Sequence, residues 1–239
     1  MDTPQINKDE HEKDIMKNIS DFQILEVIDQ NRVHKIVSAI EKGKDQENDA
    51  QFTKKVVLKY TQSSNDKIRM LERAQNELSV LQSINSKYVV KGNEVFEDDG
   101  VVVLSLEAIE GISIKKAIAT EFRFNVETFL KTAIEIARGI SDLHQSKILH
   151  LDVNPNNLIF NPKDLSQPCK IIDFESSGRY STLGLDDKDE HSQELFGTFA
   201  YISPEQTGRT RHKIDSRSDL YSFGVTLYEM ITGDVPFSS

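Results

Sequence analysis

The sequence "ILHLDVNPNNLIF", residues 148–160, decides the fold assignment of this chain. It places His150, Asp152 and Asn157 close together, with Pro155 before the Asn and apolar residues on both sides. A stretch of this kind is either a polar turn between two buried strands or a loop that presents side chains for catalysis. The sequence around it has to distinguish these two interpretations.

Composition limits the possible classes of protein. The chain has 239 residues, enough for one large domain or two lobes around a cleft. Its net charge of −10 argues against a nucleic acid or an anionic membrane as the main partner. Its single cysteine, Cys169, excludes an intramolecular disulfide. No apolar run reaches the roughly 18 residues of a membrane span. We therefore expect a cytoplasmic protein without direct membrane insertion.

The first half of the chain is rich in predicted strands. Residues 1–20 are polar and charged, which predicts a disordered arm. Alternating and β-branched residues then predict three antiparallel strands, and apolar residues at helical spacing predict one helix. An Asp99-Gly100 turn predicts a hairpin after it. The corresponding segments are "FQILEVI", "VHKIVSAI", "KVVLKY", "DKIRMLERAQNELSVLQSI" and "GNEVFEDDGVVVLSLEA".

The second half is predicted to be mainly helical. "VETFLKTAIEIARGISDLHQ" has the pattern of a long amphipathic helix that ends just before residue 148. "LIF" and "KIIDF" are short apolar strands, and "SDLYSFGVTLYEMITG" is an apolar helix that Gly233 would end. A strand-rich front and a helical back predict an α+β fold with two lobes.

Five polar residues appear in an order that phosphoryl transfer requires. That reaction needs an ammonium on the phosphates, a metal ion held by oxygen ligands, and a carboxylate near the incoming hydroxyl. Lys59 ends the strand "VVLK", and Glu77 on the next helix could pair with it. Asp152 could accept the proton, while Asn157 and Asp173 offer oxygen atoms to Mg2+. Each residue alone would usually be a solvated surface or turn residue, so the argument rests on the ordered set.

These motifs together resemble a eukaryotic-type protein kinase domain of the Ser/Thr type. The resemblance runs from about Phe22 to the C-terminus and implies a bilobal fold. It implies a β-rich N-lobe with a hinge at residues 21–109 and a partial, mainly helical C-lobe at 110–239 that lacks its last helices. The matching segments are "VVLK", "HLDVNPNN", "DFE" at 173–175, "SPE" at 203–205 and "DLYSFG" at 219–224.

The resemblance also implies cofactors and roles for particular residues. ATP and Mg2+ would be the cofactors, with Lys59, Glu77, Asp152 and Asn157 as catalytic residues and Asn157 and Asp173 as metal ligands. His150 and Asp219 would hold the catalytic loop. An activation segment would run from 173 to 205, mobile between about 176 and 194. The adenine slot would involve Ile28, Ile36, Val57, Leu106, Ile159 and the backbone from Glu107 to Ile109.

The sequence departs from the kinase pattern around the phosphates. With Ile28 and Ile36 aligned, the three glycines of the glycine-rich loop fall on Asp29, Asn31 and His34. Glycine lets backbone N–H groups close over phosphates, so we expect a looser cover here. Glu175 replaces the Gly of Asp-Phe-Gly, and we expect it to restrict the backbone beside Asp173.

Three further departures concern the C-lobe. Leu151 replaces the Arg that usually pairs with a phosphorylated activation loop, and Asn154 replaces a Lys. Because the kinase pattern continues beyond "GDVPFSS", Glu205 and one face of the 218–232 helix are expected to lack partners. Asn154 and "GTFAYISPEQTGR" are also similar to the kinase-like N-terminal domain of large hybrid sensor histidine kinases.

Two functions therefore follow from the sequence. The first is an ATP-dependent protein kinase that phosphorylates Ser or Thr, because Thr198 resembles the Thr facing the catalytic loop in such kinases. The second is a pseudokinase or regulatory binding module, suggested by the missing glycines and Glu175. The partners implied are a protein substrate or attached signalling domains, and no nucleic acid.

Overall fold

An antiparallel sheet and one helix form the first lobe of the protein. The computed structural model describes residues 18–30, 34–42, 54–61, 67–120, 122–179, 198–208, 210 and 212–237. The three strands, the helix and the hairpin predicted for this half are confirmed. These elements are β1 (Phe22–Gln30), β2 (His34–Glu41), β3 (Lys54–Thr61), α1 (Lys67–Gln82), β4 (Gly92–Asp98) and β5 (Val101–Glu107).

The sheet order places β3 in the centre. The strands run β1-β2-β3-β5-β4, and each neighbouring pair is antiparallel. Alternate residues of β3 face an apolar cluster, in which Val56 and Leu58 are fully buried. The hairpin turns at Asp99 and Gly100, which both have positive φ, as a tight two-residue turn requires. Helix α1 packs on β4 and β5, which holds it beside the central strand.

The second lobe is built around two long helices and short strand pairs. The helices predicted at 126–145 and 218–232 are confirmed. The six-residue α2 was not predicted. The elements are β6 (Ile112–Ser113), α2 (Ile114–Ala119), α3 (Val126–Gln145), β7 (Ile148–Leu149), β8 (Leu158–Phe160), β9 (Lys170–Ile171), β10 (Gly178–Arg179) and α4 (Ser216–Thr232).

Capping residues explain where the long helices begin and end. Asn125 accepts from the backbone N–H of Thr128 to start α3, and Asp215 accepts from that of Arg217 to start α4. Gly233 ends α4 in the left-handed conformation with φ 85°, as the sequence predicted.

The largest apolar core joins the lobes. It contains Val80 and Leu81 of α1 together with Ile136 and Ile140 of α3 and residues of β7 to β9. This shared core supports an α+β fold in which both lobes line one cleft.

Several sequence predictions fall wholly or partly on residues that the structure does not describe. Of the arm predicted at 1–20, only 18–20 are described. Ile19 begins a short 3-10 helix, and its N–H donates to the Asp98 carboxylate at 2.7 Å. Asn31 lies outside the described residues. Of the segment predicted to be mobile at 176–194, the part from residue 180 onward also lies outside them. Within the described residues, no helix combines the length and apolar character needed to cross a membrane.

Candidate active site

The opening stretch forms a loop between two buried strands, and three hydrogen bonds hold the Asp152 side chain in it. Strand β7 leads into the loop, and a 3-10 turn at Pro155–Asn157 leads out to β8. The Asp152 carboxylate accepts hydrogen bonds from Asn157 Nδ2 at 3.0 Å, Asn154 Nδ2 at 3.0 Å and the Thr198 N–H at 2.8 Å. Three donors fix its orientation while leaving the residue partly exposed to the cleft.

A buried carboxylate on α4 holds the loop from behind. Asp219 is fully buried and accepts from the backbone N–H groups of His150 at 3.0 Å and Leu151 at 2.8 Å. His144 Nε2 of α3 lies 2.8 Å from the same carboxylate. The His150 ring contacts the Ile172 carbonyl through Nε2 at 3.1 Å. The loop is therefore tied to both long helices and to the residue before Asp173.

Lys59 and Glu77 form the ion pair that the sequence predicted. Nζ of Lys59 lies 3.1 Å from Glu77 Oε2, and both side chains are almost fully buried. Glu77 Oε1 also accepts from the Phe174 N–H at 3.2 Å, which joins α1 to the segment beginning at Asp173. Lys59 Nζ reaches Asp173 Oδ1 as well, at 3.0 Å.

Burial and neighbouring charges shift the pKa values of Lys59, Glu77 and Asp173 in opposite directions. Burial alone would lower the pKa of Lys59, but Asp173, Glu77 and Glu175 together raise it above its usual value. Burial raises the pKa of Glu77, against the opposing effect of Lys59. For Asp173, burial is outweighed by Lys59, so its pKa is lowered. The raised pKa keeps Lys59 protonated, and a protonated lysine is what phosphate binding needs.

Asn157 and Asp173 provide an oxygen set suited to Mg2+. Strands β8 and β9 pair, and the Ile172 N–H donates to the Asn157 carbonyl at 2.9 Å, so the two residues leave adjacent strands. Asp173 has φ 64°, a left-handed conformation that aims its side chain into the cleft beside Lys59. Because Asn157 Nδ2 binds Asp152, its amide oxygen is the atom that can ligate metal. Mg2+ takes few protein oxygens and keeps water or phosphate ligands, so this set fits it.

The residues assigned to the adenine slot come from neighbouring strands of the sheet and from β8. Val57 pairs with Leu106 across β3 and β5, and Ile36 lies on the adjacent β2. Ile28 is 53% exposed, and its neighbours on β1 are exposed too; the other apolar residues of the slot are partly exposed, with Leu106 also packed against the largest core. Ile159 lies on β8. A row of partly exposed apolar residues matches a cleft lining better than a core, and their contact with adenine stays a prediction.

Glu107 at the hinge has a structural contribution that sequence reasoning did not anticipate. Its N–H donates to the Lys91 carbonyl at 2.9 Å. Its carboxylate accepts from the Lys91 N–H at 2.8 Å and from Lys170 Nζ at 2.5 Å. These contacts fix the start of the hinge, so the edge groups predicted for a nucleotide begin at the Glu107 carbonyl and continue to Ile109.

The restriction expected of Glu175 on the backbone beside Asp173 stays a prediction, but Glu175 itself is not strained. Among the described non-glycine residues, positive φ occurs at Asp173 but not at Glu175, so a side chain fits at 175 without strain. Its carboxylate instead contacts Lys59 Nζ at 3.4 Å and His34 Nε2 at 2.9 Å. The hydrogen bond from His34, together with the charge of Lys59 and against burial, lowers the pKa of Glu175 to about 2.

The other departures also have structural consequences. Leu151 is buried with φ 64°, and its carbonyl accepts from Gln206 Nε2 at 2.8 Å. Asn154 Nδ2 lies 3.3 Å from Thr198 Oγ1, so it joins the loop to the Thr that was expected to face it. The expectation that Glu205 lacks a partner is wrong, because Ser218 Oγ of α4 donates to it at 2.6 Å. The α4 face expected to be uncovered does carry exposed apolar residues, Leu220, Tyr228 and Ile231.

Comparison with known proteins agrees with this geometry. The family described as protein kinase domain matches residues 36–239. A probable serine/threonine-protein kinase of Clostridium perfringens is 30% identical over 184 residues, covering 76% of this chain and 25% of that protein. The human ribosomal protein S6 kinase alpha-2 is 28% identical over 218 residues, covering 91% of this chain and 28% of its own. This chain therefore spans about a quarter of the length of these curated relatives. The family match covers most of the chain and both lobes, and the chain belongs to the protein kinase domain family.

Proposed function

We propose that this protein is an ATP-dependent kinase that transfers the γ-phosphate to Ser or Thr hydroxyls of a protein substrate. The observation that carries the proposal is the Lys59 ammonium, held at 3.1 Å from Glu77 and 3.0 Å from Asp173. An ammonium between α1 and the metal-binding segment is the arrangement that places ATP phosphates for transfer. The kinase homologues support the same reaction class.

Each polar residue has a distinct task in this reaction. Lys59 neutralises phosphate charge, and Glu77 keeps its ammonium pointed into the cleft. Asp152 accepts a hydrogen bond from the substrate hydroxyl and takes its proton as the hydroxyl oxygen bonds to the γ-phosphorus, while the bond from the γ-phosphorus to the bridging oxygen breaks and ADP leaves. Asn157 and Asp173 would hold Mg2+, which would supply positive charge to offset the charge that develops on the phosphates. Asp219 keeps Asp152 in position through the backbone of the loop.

The position of Thr198 supports a Ser or Thr acceptor. Its N–H donates to Asp152 and its hydroxyl lies near Asn154, so the C-terminal part of the activation segment is fixed against the catalytic carboxylate. Thr198 resembles the Thr that faces the catalytic loop in Ser/Thr kinases, which supports a Ser or Thr acceptor.

A second candidate is a regulatory module with weak or no phosphotransfer. The observation that favours it is the Glu175 carboxylate at 3.4 Å from Lys59, because this contact engages the ammonium that ATP needs. The two candidates differ in whether ATP binding leads to chemistry. They share the fold and the loop geometry.

The setting of the domain is also part of the proposal. The likeness of "GTFAYISPEQTGR" and Asn154 to the kinase-like domain of hybrid sensor histidine kinases supports attached signalling domains as partners. A buried single cysteine and the need for ATP support a cytoplasmic location. The coding sequence downstream of Ser239 tests the first point, since a histidine kinase region there is the expected result. An unrelated region would remove this subfamily assignment.

A phosphotransfer assay tests the central proposal. The full-length parent protein is incubated with labelled ATP and a Ser/Thr-containing acceptor, with Mg2+ or with EDTA, followed by phosphoamino-acid analysis. Phosphoserine or phosphothreonine that requires Mg2+ is expected. Nucleotide binding without any transfer would instead support the regulatory candidate, and transfer to Tyr alone would contradict the assigned acceptor.

A further inference from the structure

Three carboxylates converge on the single ammonium of Lys59. Glu77 lies 3.1 Å from Nζ, Asp173 lies 3.0 Å from it and Glu175 lies 3.4 Å from it. The first two already satisfy the lysine and have assigned roles in the proposed reaction. Glu175 therefore adds a third anionic ligand at the group that phosphates would contact, and the proposed mechanism does not use it.

A histidine from the opposite side of the cleft holds Glu175 in place. His34 Nε2 lies 2.9 Å from the Glu175 carboxylate, and its Nδ1 lies 3.3 Å from Thr61 Oγ1. His34 pairs with Thr61 in the β2–β3 register, so the sheet itself orients the ring. The neutral ring with hydrogen on Nε2 satisfies both neighbours, because the carboxylate accepts from Nε2 and the hydroxyl donates to Nδ1.

The contact between His34 and Glu175, called the bridge below, lies at the end of the cleft where nucleotide phosphates would bind. His34 stands at the third glycine position of the loop that normally covers phosphates, and Glu175 follows the metal-binding Asp173 by two residues. A side chain at each of these positions is what allows the contact, since glycine has none at either. The start of β2 in one lobe is thereby joined to the start of the activation segment in the other.

We propose that Glu175, held by His34, is an internal competitor for nucleotide phosphates at Lys59. The proposal rests on the proposed function, in which Lys59 binds those phosphates. Around Nζ the three carboxylates carry two more negative charges than the lysine supplies positive ones. An incoming triphosphate has to displace the Glu175 carboxylate and is repelled by it until it does. A nucleoside without phosphates does not reach Lys59, so the contact leaves its affinity unchanged.

The size of the effect follows from the partial burial of the pair. The Glu175 side chain is 32% exposed and the Lys59 side chain 8% exposed, so solvent screens the contact only in part. Removing the charge at Glu175 should raise ATP affinity about tenfold, which corresponds to about 1.4 kcal/mol. Glu175→Gln keeps an oxygen that can accept from His34, whereas Glu175→Gly removes the side chain altogether.

Calorimetric titration of the full-length protein with ATP and with adenosine, both in Mg2+, tests the proposal. The proteins are the wild type, Glu175→Gln, Glu175→Gly and the control Glu72→Gln, which makes the same charge change on the exposed face of α1. Both Glu175 variants should bind ATP about tenfold more tightly and adenosine equally, with the control unchanged. Unchanged or weaker ATP binding by both Glu175 variants would overturn the competitor.

A double-mutant cycle of thermal unfolding tests the bridge without any nucleotide. The cycle uses His34→Ala, Glu175→Ala and the double variant, because each replacement removes one side of the contact and the cycle cancels the other contacts of each residue. A loss of stability in the double variant that is smaller than the sum of the single losses is expected, and strict additivity would overturn the bridge.

In the nucleotide titrations, ATP binding that appears only when Glu175 is replaced supports the competitor. If none of the proteins binds any nucleotide, both the competing role of Glu175 and the proposed function are overturned. If all four proteins bind ATP equally, only the competing role of Glu175 is overturned.

Discussion

Asp219→Asn should destabilise the protein strongly, although it changes only one oxygen to an NH2 group. Asp219 is fully buried and accepts from the N–H groups of His150 and Leu151, with His144 Nε2 at 2.8 Å. The substituted amide keeps one acceptor oxygen, but its NH2 group then faces a donor. At least one buried N–H loses its partner and the remaining bonds lose their charge.

The expected cost is about 3 kcal/mol, because a buried unsatisfied donor costs about 1–3 kcal/mol and hydrogen bonds to charged groups are worth about 1.5–3 kcal/mol. In a domain of this size that corresponds to a fall in melting temperature of about 6–12 °C. The substitution would also weaken the contacts that hold the catalytic loop against α4. Phosphotransfer should therefore fall by more than the increase in unfolded protein accounts for.

Chemical denaturation followed by circular dichroism measures the cost. Asp215→Asn is the matched control, because it makes the same change at the partly exposed N-cap of the same helix, a position that Asn serves equally well. Its ion pair with Arg217 is on the surface and contributes at most about 1 kcal/mol. A loss at Asp219 of under about 1 kcal/mol, or one equal to that at Asp215, would refute the anchoring role.

Three other substitutions test the ammonium, the hinge and the packing of α3. Lys59→Met should reduce phosphotransfer by about 10²-fold or more, while Lys55→Met at an exposed position of the same strand leaves it unchanged; equal rates would remove Lys59 from the site. Leu106→Gly should let bulky N6-substituted ATP analogues serve as donors, and their rejection would count against its place at the back of the slot. Gly139→Val should cost about 2 kcal/mol in urea unfolding, because an added Cβ lies 3.1 Å from Tyr88 Cβ as well as 2.8 Å from a side-chain carbon of β9. Gly224→Val, with nothing within 4 Å, is its control, and similar losses at both positions would show that helix propensity dominates.

Regular elements were predictable because their periodicity is local. The β-branched strand "VVLK" and the apolar spacing of "VETFLKTAIEIARGISDLHQ" each record which face is buried, and the structure has β3 and α3 at those positions. The order of the motifs also predicted that Lys59 and Glu77 lie on two elements that contact each other. In contrast, α2 has only six residues, too few to show a helical period, and it was missed.

The contacts that the sequence did not reveal join residues far apart in the chain. The bridge from His34 to Glu175 spans the cleft, and only the two missing glycines signalled that side chains were available there. The sequence suggested a backbone effect of Glu175, whereas the positive φ occurs at Asp173. The partner of Glu205 was missed because a Ser at position 218 gives no pattern distinguishing a buried hydrogen-bond donor from an ordinary helix residue.

Substitution of Asp152 by Asn tests most directly whether the catalytic loop performs phosphotransfer. The change keeps the size of the side chain and lets its oxygen accept from some of the present donors, Asn154, Asn157 and the Thr198 N–H, but it removes the charge that takes the proton. The assay is phosphotransfer by the full-length protein, run beside ATP binding and thermal unfolding so that loss of folding is not mistaken for loss of chemistry. We predict that turnover falls by about 10²-fold or more while ATP affinity is largely kept. Equal transfer by the wild type and Asp152→Asn, above a control without enzyme, would contradict the assignment of Asp152 as the proton acceptor.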